Sequence, residues 1–314
     1  MDARRARTLL GAEGEAPLTV TRGWVAIVNP RSRGLTPAAL LALRSELLCV
    51  VDDVLVSMYA GHAAALVAQC RNAAGIVIGG GDGTIFEVLQ ACDRARQRLA
   101  VVPLGRGNSL AKDLDLTSAA RAIRSIAAGS DRTIDLLDVT LRSSDGREWR
   151  GVSSSNVAVG YPAEVAKSAL RWQWMRGHSY TAASAIVRPT WFSARLSSDD
   201  SSDIEARLTG VIVSNSRYVG PFLGFPNADL ADGVFHTMEL RSTRWRQLAH
   251  NISSVTGLRF YEPVVRRDLR SVRLRLDAPV LVKIDGELRD DVCEITVRLL
   301  PRAATFRVPA RGHA

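Results

Sequence analysis

Gly75-Ile76-Val77-Ile78-Gly79-Gly80-Gly81-Asp82-Gly83-Thr84 is the stretch on which the fold turns. An apolar run of strand length, Gly75–Ile78, enters a glycine-rich turn, and an apolar helical pattern resumes at Ile85. Glycines let backbone amides approach an anion closely, and the N-terminus of the following helix adds partial positive charge. The Thr84 hydroxyl can donate to a phosphate oxygen. Asp82 would repel phosphate and is suited instead to holding a metal ion or orienting an amide. Taken alone, the segment reads equally well as a strand-to-helix turn without a ligand.

A second loop lies just downstream. Pro103-Leu104-Gly105-Arg106-Gly107-Asn108-Ser109 follows the next expected strand, Leu99–Val102, and again leads into a helix. Two glycine loops at the ends of sequential parallel strands point at one crevice, where α/β sheets bind ligands. Together they argue for a nucleotide. Neither is a Gly-Lys-Ser/Thr loop, nor a Gly-x-Gly-x-x-Gly turn before an acidic ribose anchor.

Outward from the loops, strand and helix patterns alternate. Trp24–Val28 and Val54–Val56 read as strands, and Ala63–Gln69 and Ala119–Ala128 as helices. Thr36-Pro37 is a start signal for another helix, and Thr117 and Gly129 bracket the last one. Such alternation predicts a mostly parallel sheet covered on both faces. From about Ile134 the period changes to two: Val272, Leu274 and Leu276 alternate with Arg273 and Arg275, and Ile295, Val297 and Leu299 with Glu294, Thr296 and Arg298. That pattern predicts antiparallel sheet, interrupted by helical stretches near Val165–Val187 and Arg244–Val255. The expected architecture is an N-terminal three-layer α/β nucleotide-binding domain and a C-terminal, mainly antiparallel β domain, with the active-site cleft between them. The expected boundaries are a flexible tail at 1–22, the α/β domain at 23–133, the β-rich domain at 134–300 and a C-terminal segment at 301–314.

The 314 residues carry ordinary globular composition and a net charge of +9. Only three of the 41 basic side chains are lysines: Lys112, Lys167 and Lys283. Cys49, Cys70, Cys92 and Cys293 are scattered, which supports neither a zinc site nor a disulfide framework and suits a reducing compartment. Arg4, Arg5 and Arg7 precede only Leu9-Leu10, too short a run for a signal peptide. No apolar run reaches the roughly 18 residues of a membrane span. A cytoplasmic protein associated peripherally with a membrane is expected. The basic surface suits anionic lipid or phosphate-rich ligands, or is simply solvated. No recognition helix, zinc spacing or stacking motif points to nucleic acid. A homodimer is left open.

Taken in order, seven segments resemble the diacylglycerol kinase catalytic domain shared by diacylglycerol, sphingosine and ceramide kinases. They are Asn29-Pro30-Arg31-Ser32-Arg33-Gly34; Ser57 with Gly61-His62-Ala63; Gly80-Gly81-Asp82-Gly83-Thr84; and Gly105–Asn108. Asn156–Gly160 with Ala163-Glu164, Pro226-Asn227-Ala228 with Asp232-Gly233, and Ile284-Asp285-Gly286-Glu287 complete the series. The resemblance implies a two-domain fold, ATP and Mg²⁺ in the cleft, and transfer of the γ-phosphoryl group to a lipid hydroxyl at a membrane surface. It also implies that residues after about Pro301 pack back on the first domain.

The same resemblance assigns expected roles. Asn29, Ser57, Gly80, Gly81, Asp82, Gly83, Thr84, Gly105, Arg106 and Asn108 would bind ATP, and Asp82 is also a candidate catalytic group. Glu287, after the Asp285-Gly286 turn, would be the general base. By itself it reads as an exposed turn residue. Asp232, with carbonyls at Asp229 and Val234, would hold a structural Mg²⁺. Glu164 would meet the lipid head group, as an acidic residue does in sphingosine kinases, or would simply sit at a helix start. Leu170, Trp172, Trp174, Met175 and Tyr180 are candidates for an acyl-chain pocket, for plain core or for an interfacial patch. The chain departs from the pattern at Arg106, where Ser or Thr is usual, and at Ser109, where Asp is common. Arg106 would either stabilise phosphate or crowd the nucleotide. Diacylglycerol is narrowly preferred over a sphingoid base as the lipid. The rival is an NAD kinase-like enzyme with a soluble substrate, which shares the Gly-Gly-Asp-Gly loop but would carry an Asn-Glu pair that this chain lacks.

Overall fold

A computed structural model describes residues 23–32, 35–172, 179–199, 201–220, 222–241 and 263–310. Its first domain alternates β1 (Trp24–Val28), α1 (Pro37–Leu47), β2 (Asp53–Val56), α2 (His62–Val67), β3 (Gly75–Gly80), α3 (Asp82–Ala91), β4 (Arg98–Pro103), α4 (Ser109–Asp113) and α5 (Ala119–Ala128). The strands run in parallel in the order β4-β3-β1-β2. Val28 lies opposite both Val56 and Gly79, and Gly80 opposite Pro103, so the segments after all four strands leave one edge of the sheet together. Ile27, Ile76, Ile78 and Leu99 are fully buried, because a parallel sheet covered on both faces offers no wet side.

Two local expectations shift. The helix after the first glycine loop begins at Asp82 rather than Ile85, because Gly81, in an extended conformation, serves as its cap. The glycine turn is therefore the first turn of α3, whose leading amides have no acceptor within the helix. Helix α5 is capped not by Thr117 but by Ser118, whose Oγ accepts from the Arg121 amide at 3.2 Å. Thr36 accepts from Ala39 at the start of α1, where Pro37 needs no amide partner.

The second domain comprises β5 (Ser130–Ser143), β6 (Glu148–Ser153), β7 (Asn156–Gly160), α6 (Tyr161–Ala169), α7 (Ser179–Ile186), β8 (Phe192–Ser198), β9 (Ser201–Leu208), β10 (Gly210–Ser214), the hairpin β11 (Tyr218–Val219) and β12 (Phe222–Leu223), β13 (Phe235–Leu240), β14 (Val264–Leu269), β15 (Ser271–Ile284) and β16 (Glu287–Val308). The strand pairs within it are antiparallel. The α/β-plus-β architecture expected from the two periodicities is thus present. The expected helix at Arg244–Val255 lies outside the described residues.

One strand joins the halves. β16 pairs with β15 and β5 in the second domain, and near its end Phe306 lies parallel to Leu99 of β4. A single continuous sheet therefore crosses both domains. Phe306 and Ala304 belong to the first core, with Ile76 and Leu99, while Val292, Ile295 and Val297 of the same strand belong to the second.

The turn from β15 to β16 is held from below by Asp285. Its buried carboxylate accepts from Ser153 Oγ (2.8 Å), Ser154 N (2.8 Å), Ser155 N (3.0 Å), Asn156 N (3.1 Å) and Ser154 Oγ (3.2 Å). These bonds tie the β6–β7 connection to the Asp285-Gly286-Glu287 turn. Removing the acceptor strands several buried donors, so Asp285→Ala is expected to cost about 3–5 kcal/mol. Urea unfolding checks this, as a lowered midpoint at unchanged slope.

Candidate active site

The two glycine loops touch. A Cβ on Gly105 would lie 2.4 Å from Gly81 Cα, so only glycine backbone fits on both sides of the contact. Asp82 locks the pair: its Oδ1 accepts from the Ser109 amide at 2.9 Å, which makes it the orienting group for the second loop. Gly107 is packed against the other oxygen, where a Cβ would meet Asp82 Oδ2 at 2.6 Å. Ser109, the departure from the family pattern, thus contributes through its backbone. Asn108 adopts a left-handed conformation (φ 48°) and donates from Nδ2 to Gly105 O at 2.8 Å. Its Oδ1 is buried without a donor.

Asn29, at the end of β1, donates from Nδ2 to Thr84 Oγ1 at 3.0 Å, bringing two expected nucleotide residues together. Ser57 is buried at the end of β2, where its amide donates to Val28 O. Arg106 is exposed at the tip of the second loop. Arg33 and Gly34 of the first motif lie outside the described residues.

The second domain meets this centre through Gly286. A Cβ there would lie 2.4 Å from both Cα and N of Gly83, so the Asp285-Gly286-Glu287 turn sits directly on the phosphate-type loop. Glu287 follows at the first position of β16, its side chain 35% exposed and 3.8 Å from Arg289 Nη1.

Two lysines flank Asp82. Burial pushes the Asp82 carboxyl above its ordinary range, and the Lys283 ammonium opposes this most strongly, with a smaller contribution from Lys112. Lys112 itself is pulled down by burial and held up by Asp82 and Asp113. Its Nζ lies 3.5 Å from Gly220 O and 5.1 Å from the Tyr218 ring centre. Asp113, next on α4, accepts from Arg217 Nε (2.8 Å), Arg217 N (3.1 Å) and Ser216 Oγ, binding the second loop's helix to the other domain. Sequence reasoning missed both lysines. The available signal was that an arginine-rich chain keeps lysine at only three positions; an ammonium supplies a compact point charge where a guanidinium fork would not fit. The third, Lys167, pairs on the surface with Asp290 at 3.2 Å.

Beyond the loops lies a cavity of about 80 Å³ beneath α6 and α7. Tyr161, Val165, Ile212, Phe222 and Met238 give it apolar walls, while Asn156 and Lys283 supply its polar end. Tyr180 lines it; Leu170 is exposed, and Trp174, Met175 and the Trp172 side chain fall outside the described residues. Glu164 is exposed on α6 and is not part of the lining, because the helix turns Tyr161, Val165 and Ala166 inward and Glu164 to solvent.

The Asp229–Val234 turn is linked to the second loop's helix through Arg132, whose Nη1 donates to Asp113 O at 3.4 Å. Asp229 Oδ1 is paired with Arg132 Nη2 at 2.7 Å and also accepts from Ala231 N. Asp232 Oδ1 accepts from Val234 N at 3.2 Å, and burial raises its carboxyl above the usual range. With Asp229's carboxylate engaged by a guanidinium, a cation here would rest on Asp232 and carbonyl oxygens. Among the described residues no group of three His, Cys, Asp or Glu side chains converges to hold a metal. The loops themselves fit a phosphate group: their backbones meet without side chains, and α3 starts with no side-chain cap.

The site is thus a glycine-lined cleft between an α/β domain and a β-rich domain. Residues 23–139 match the diacylglycerol kinase catalytic domain. Over 195 residues it is 32% identical to the diacylglycerol kinase of Mycobacterium tuberculosis H37Rv, an alignment covering 59% of this chain and 60% of that protein. The same holds for the diacylglycerol kinase of strain CDC 1551. The match thus spans about 60% of these curated relatives' length. The crystal structure of a diacylglycerol kinase from Bacillus anthracis superposes with a TM-score of 0.71 at 18% identity, over 94% of this chain and 98% of that one. Another Bacillus anthracis chain gives 0.73 at 19% identity, over 95% and 98%. At such identities these likenesses show the fold.

Proposed function

We propose that this protein is an ATP-dependent lipid kinase that phosphorylates the hydroxyl of a diacylglycerol-like lipid. The observation that carries the proposal is the backbone contact between Gly286 and Gly83, which sets the Glu287 turn on a phosphate-type loop, while a largely apolar cavity reaches the second loop through Gly220, packed against Gly107. In this reading the amides of the two glycine loops, Thr84 and Asn108 hold the nucleotide phosphates. ATP supplies the transferable phosphoryl group, and Mg²⁺ would neutralise its charge, with Asp82 the carboxylate within the loops able to share such an ion.

Glu287 accepts the proton from the substrate hydroxyl as that oxygen becomes a nucleophile. Lys112 and Lys283 bring positive charge to the cleft, where a dry environment strengthens it. Phosphoryl transfer asks the protein mainly for positioning and charge neutralisation, and both are built into the contact between the domains. No described helix is long and apolar enough to cross a membrane, so the lipid would be drawn from a surface. The net charge of +9 favours an anionic one, and binding to anionic vesicles should weaken as salt rises.

The test is incubation of purified protein with labelled ATP, Mg²⁺ and a panel of lipid alcohols presented in mixed micelles. A phosphorylated glycerolipid is expected. Labelled product only on a soluble alcohol, or none on any lipid, would overturn the lipid-kinase assignment.

A further inference from the structure

The cavity beneath α6 and α7 carries information about the lipid's head group. Among its described lining residues Lys283 is the single charged side chain, and no Asp or Glu joins it. Asn156 lies at the same end. Its side chain is 2% exposed overall, and its Oδ1 meets no donor within the protein. Both positions are held rigidly. Lys283 stands opposite Ala158 in the β15–β7 pair, and the Asn156 amide is bonded to the Asp285 carboxylate. Gly220, which also lines the cavity, packs against Gly107, where a Cβ would lie 3.6 Å from Gly220 Cα, so the cavity adjoins the second glycine loop.

We propose that Asn156 and Lys283 form a head-group subsite that accepts an uncharged hydroxyl and rejects a cationic amine. The proposal rests on the lipid-kinase reading of the cleft and goes on to specify which class of lipid it takes. A buried acceptor without a donor is costly, and a substrate hydroxyl supplies the missing donor. An ammonium head group would instead meet the Lys283 ammonium in a low-dielectric pocket, with no carboxylate in the lining to pair with it. The carboxylate suited to holding such an amine, Glu164, is exposed outside the cavity. Neutral glycerolipids and ceramides therefore satisfy the subsite, and sphingoid bases do not.

Equilibrium binding tests this separately from turnover. Intrinsic fluorescence of the full-length protein is titrated with 1,2-dioctanoylglycerol, a short-chain ceramide and a sphingoid base of matched chain length, and the same lipids are then offered with ATP and Mg²⁺. The two neutral lipids are expected to bind at least about tenfold more tightly than the base, given that like charges cost several kcal/mol at an interface. Asn156→Ala should weaken dioctanoylglycerol about 5–100-fold, the range for an unpaired buried group. Lys283→Met should narrow the gap between neutral and cationic lipids, and Lys283→Glu should invert it; circular dichroism establishes that each variant is folded. Tight neutral-lipid binding without phosphorylation would leave the subsite standing and sink the kinase reading. Equal or tighter binding of the sphingoid base, binding of none of the lipids, or a neutral-to-cationic ratio unmoved by both Lys283 substitutions would overturn the subsite.

Discussion

Glu287→Gln is expected to lower turnover about 10²–10⁴-fold while ATP affinity changes little, because glutamine keeps the shape of the side chain but cannot take the hydroxyl proton. That loss corresponds to about 3–5 kcal/mol of barrier. Glu287→Asp should recover only part of it, since the carboxylate retreats by one methylene from a position set by the Gly286–Gly83 contact. Arg289, 3.8 Å from the same carboxylate, sets a control. Arg289→Gln removes a neighbouring charge but no proton acceptor, and its effect should be small by comparison. The measurement is single-turnover phosphorylation at saturating ATP and lipid. A folded Glu287→Gln enzyme retaining more than about a third of wild-type turnover would move the base elsewhere, because even a modest general base contributes about a hundredfold.

The second large effect falls on the glycines where backbones meet. Gly105→Ala places a methyl group 2.4 Å from Gly81 Cα and 2.6 Å from Asn108 Oδ1; Gly286→Ala places one 2.4 Å from Gly83 Cα and N. In neither case is the obstacle only the end of a flexible side chain, so the loops must separate. Overpacking of this kind costs about 1–3 kcal/mol of stability, which a domain with two such cores should survive. The functional consequences should differ. Gly105→Ala parts the two phosphate-type loops and should abolish measurable nucleotide binding, read by titration with ATP and Mg²⁺. Gly286→Ala lifts the Glu287 turn off the first loop, and turnover should collapse while nucleotide binding persists. If Gly286→Ala proves folded and fully active, Glu287 does not depend on that contact and the catalytic geometry argued above fails.

Much of this site was legible along the chain because its parts are local. The Gly79–Gly83 and Gly105–Gly107 loops announce themselves by composition, and the strand before each fixes which edge of the sheet they occupy. Asp285-Gly286-Glu287 is legible as a turn. The roles of the two lysines and the Asp113–Arg217 tie were not, because each acts on a residue far away in sequence. Lys283, for example, influences Asp82 across the domain boundary, about two hundred residues earlier by number alone. Glu164 misled for a related reason. The Gly160-Tyr161-Pro162-Ala163-Glu164 pattern locates the start of a helix correctly, but which of its residues face the cavity depends on how α6 is rotated over β7 and β10.

The sequence by itself determined the two periodicities, and with them an α/β domain followed by an antiparallel one. It also determined the glycine loops and the family resemblance, because backbone freedom, helix capping and side-chain alternation are properties of a few neighbouring residues. Only the tertiary structure decided that β16 threads both domains into one sheet, that Gly83 and Gly286 touch, and that the cavity's polar end carries an ammonium and an amide oxygen without a donor rather than a carboxylate. Those facts depend on close packing between segments that no local rule relates. A dense interior leaves room for one arrangement of their side chains and lets the approach of two distant glycines be set within a fraction of an ångström.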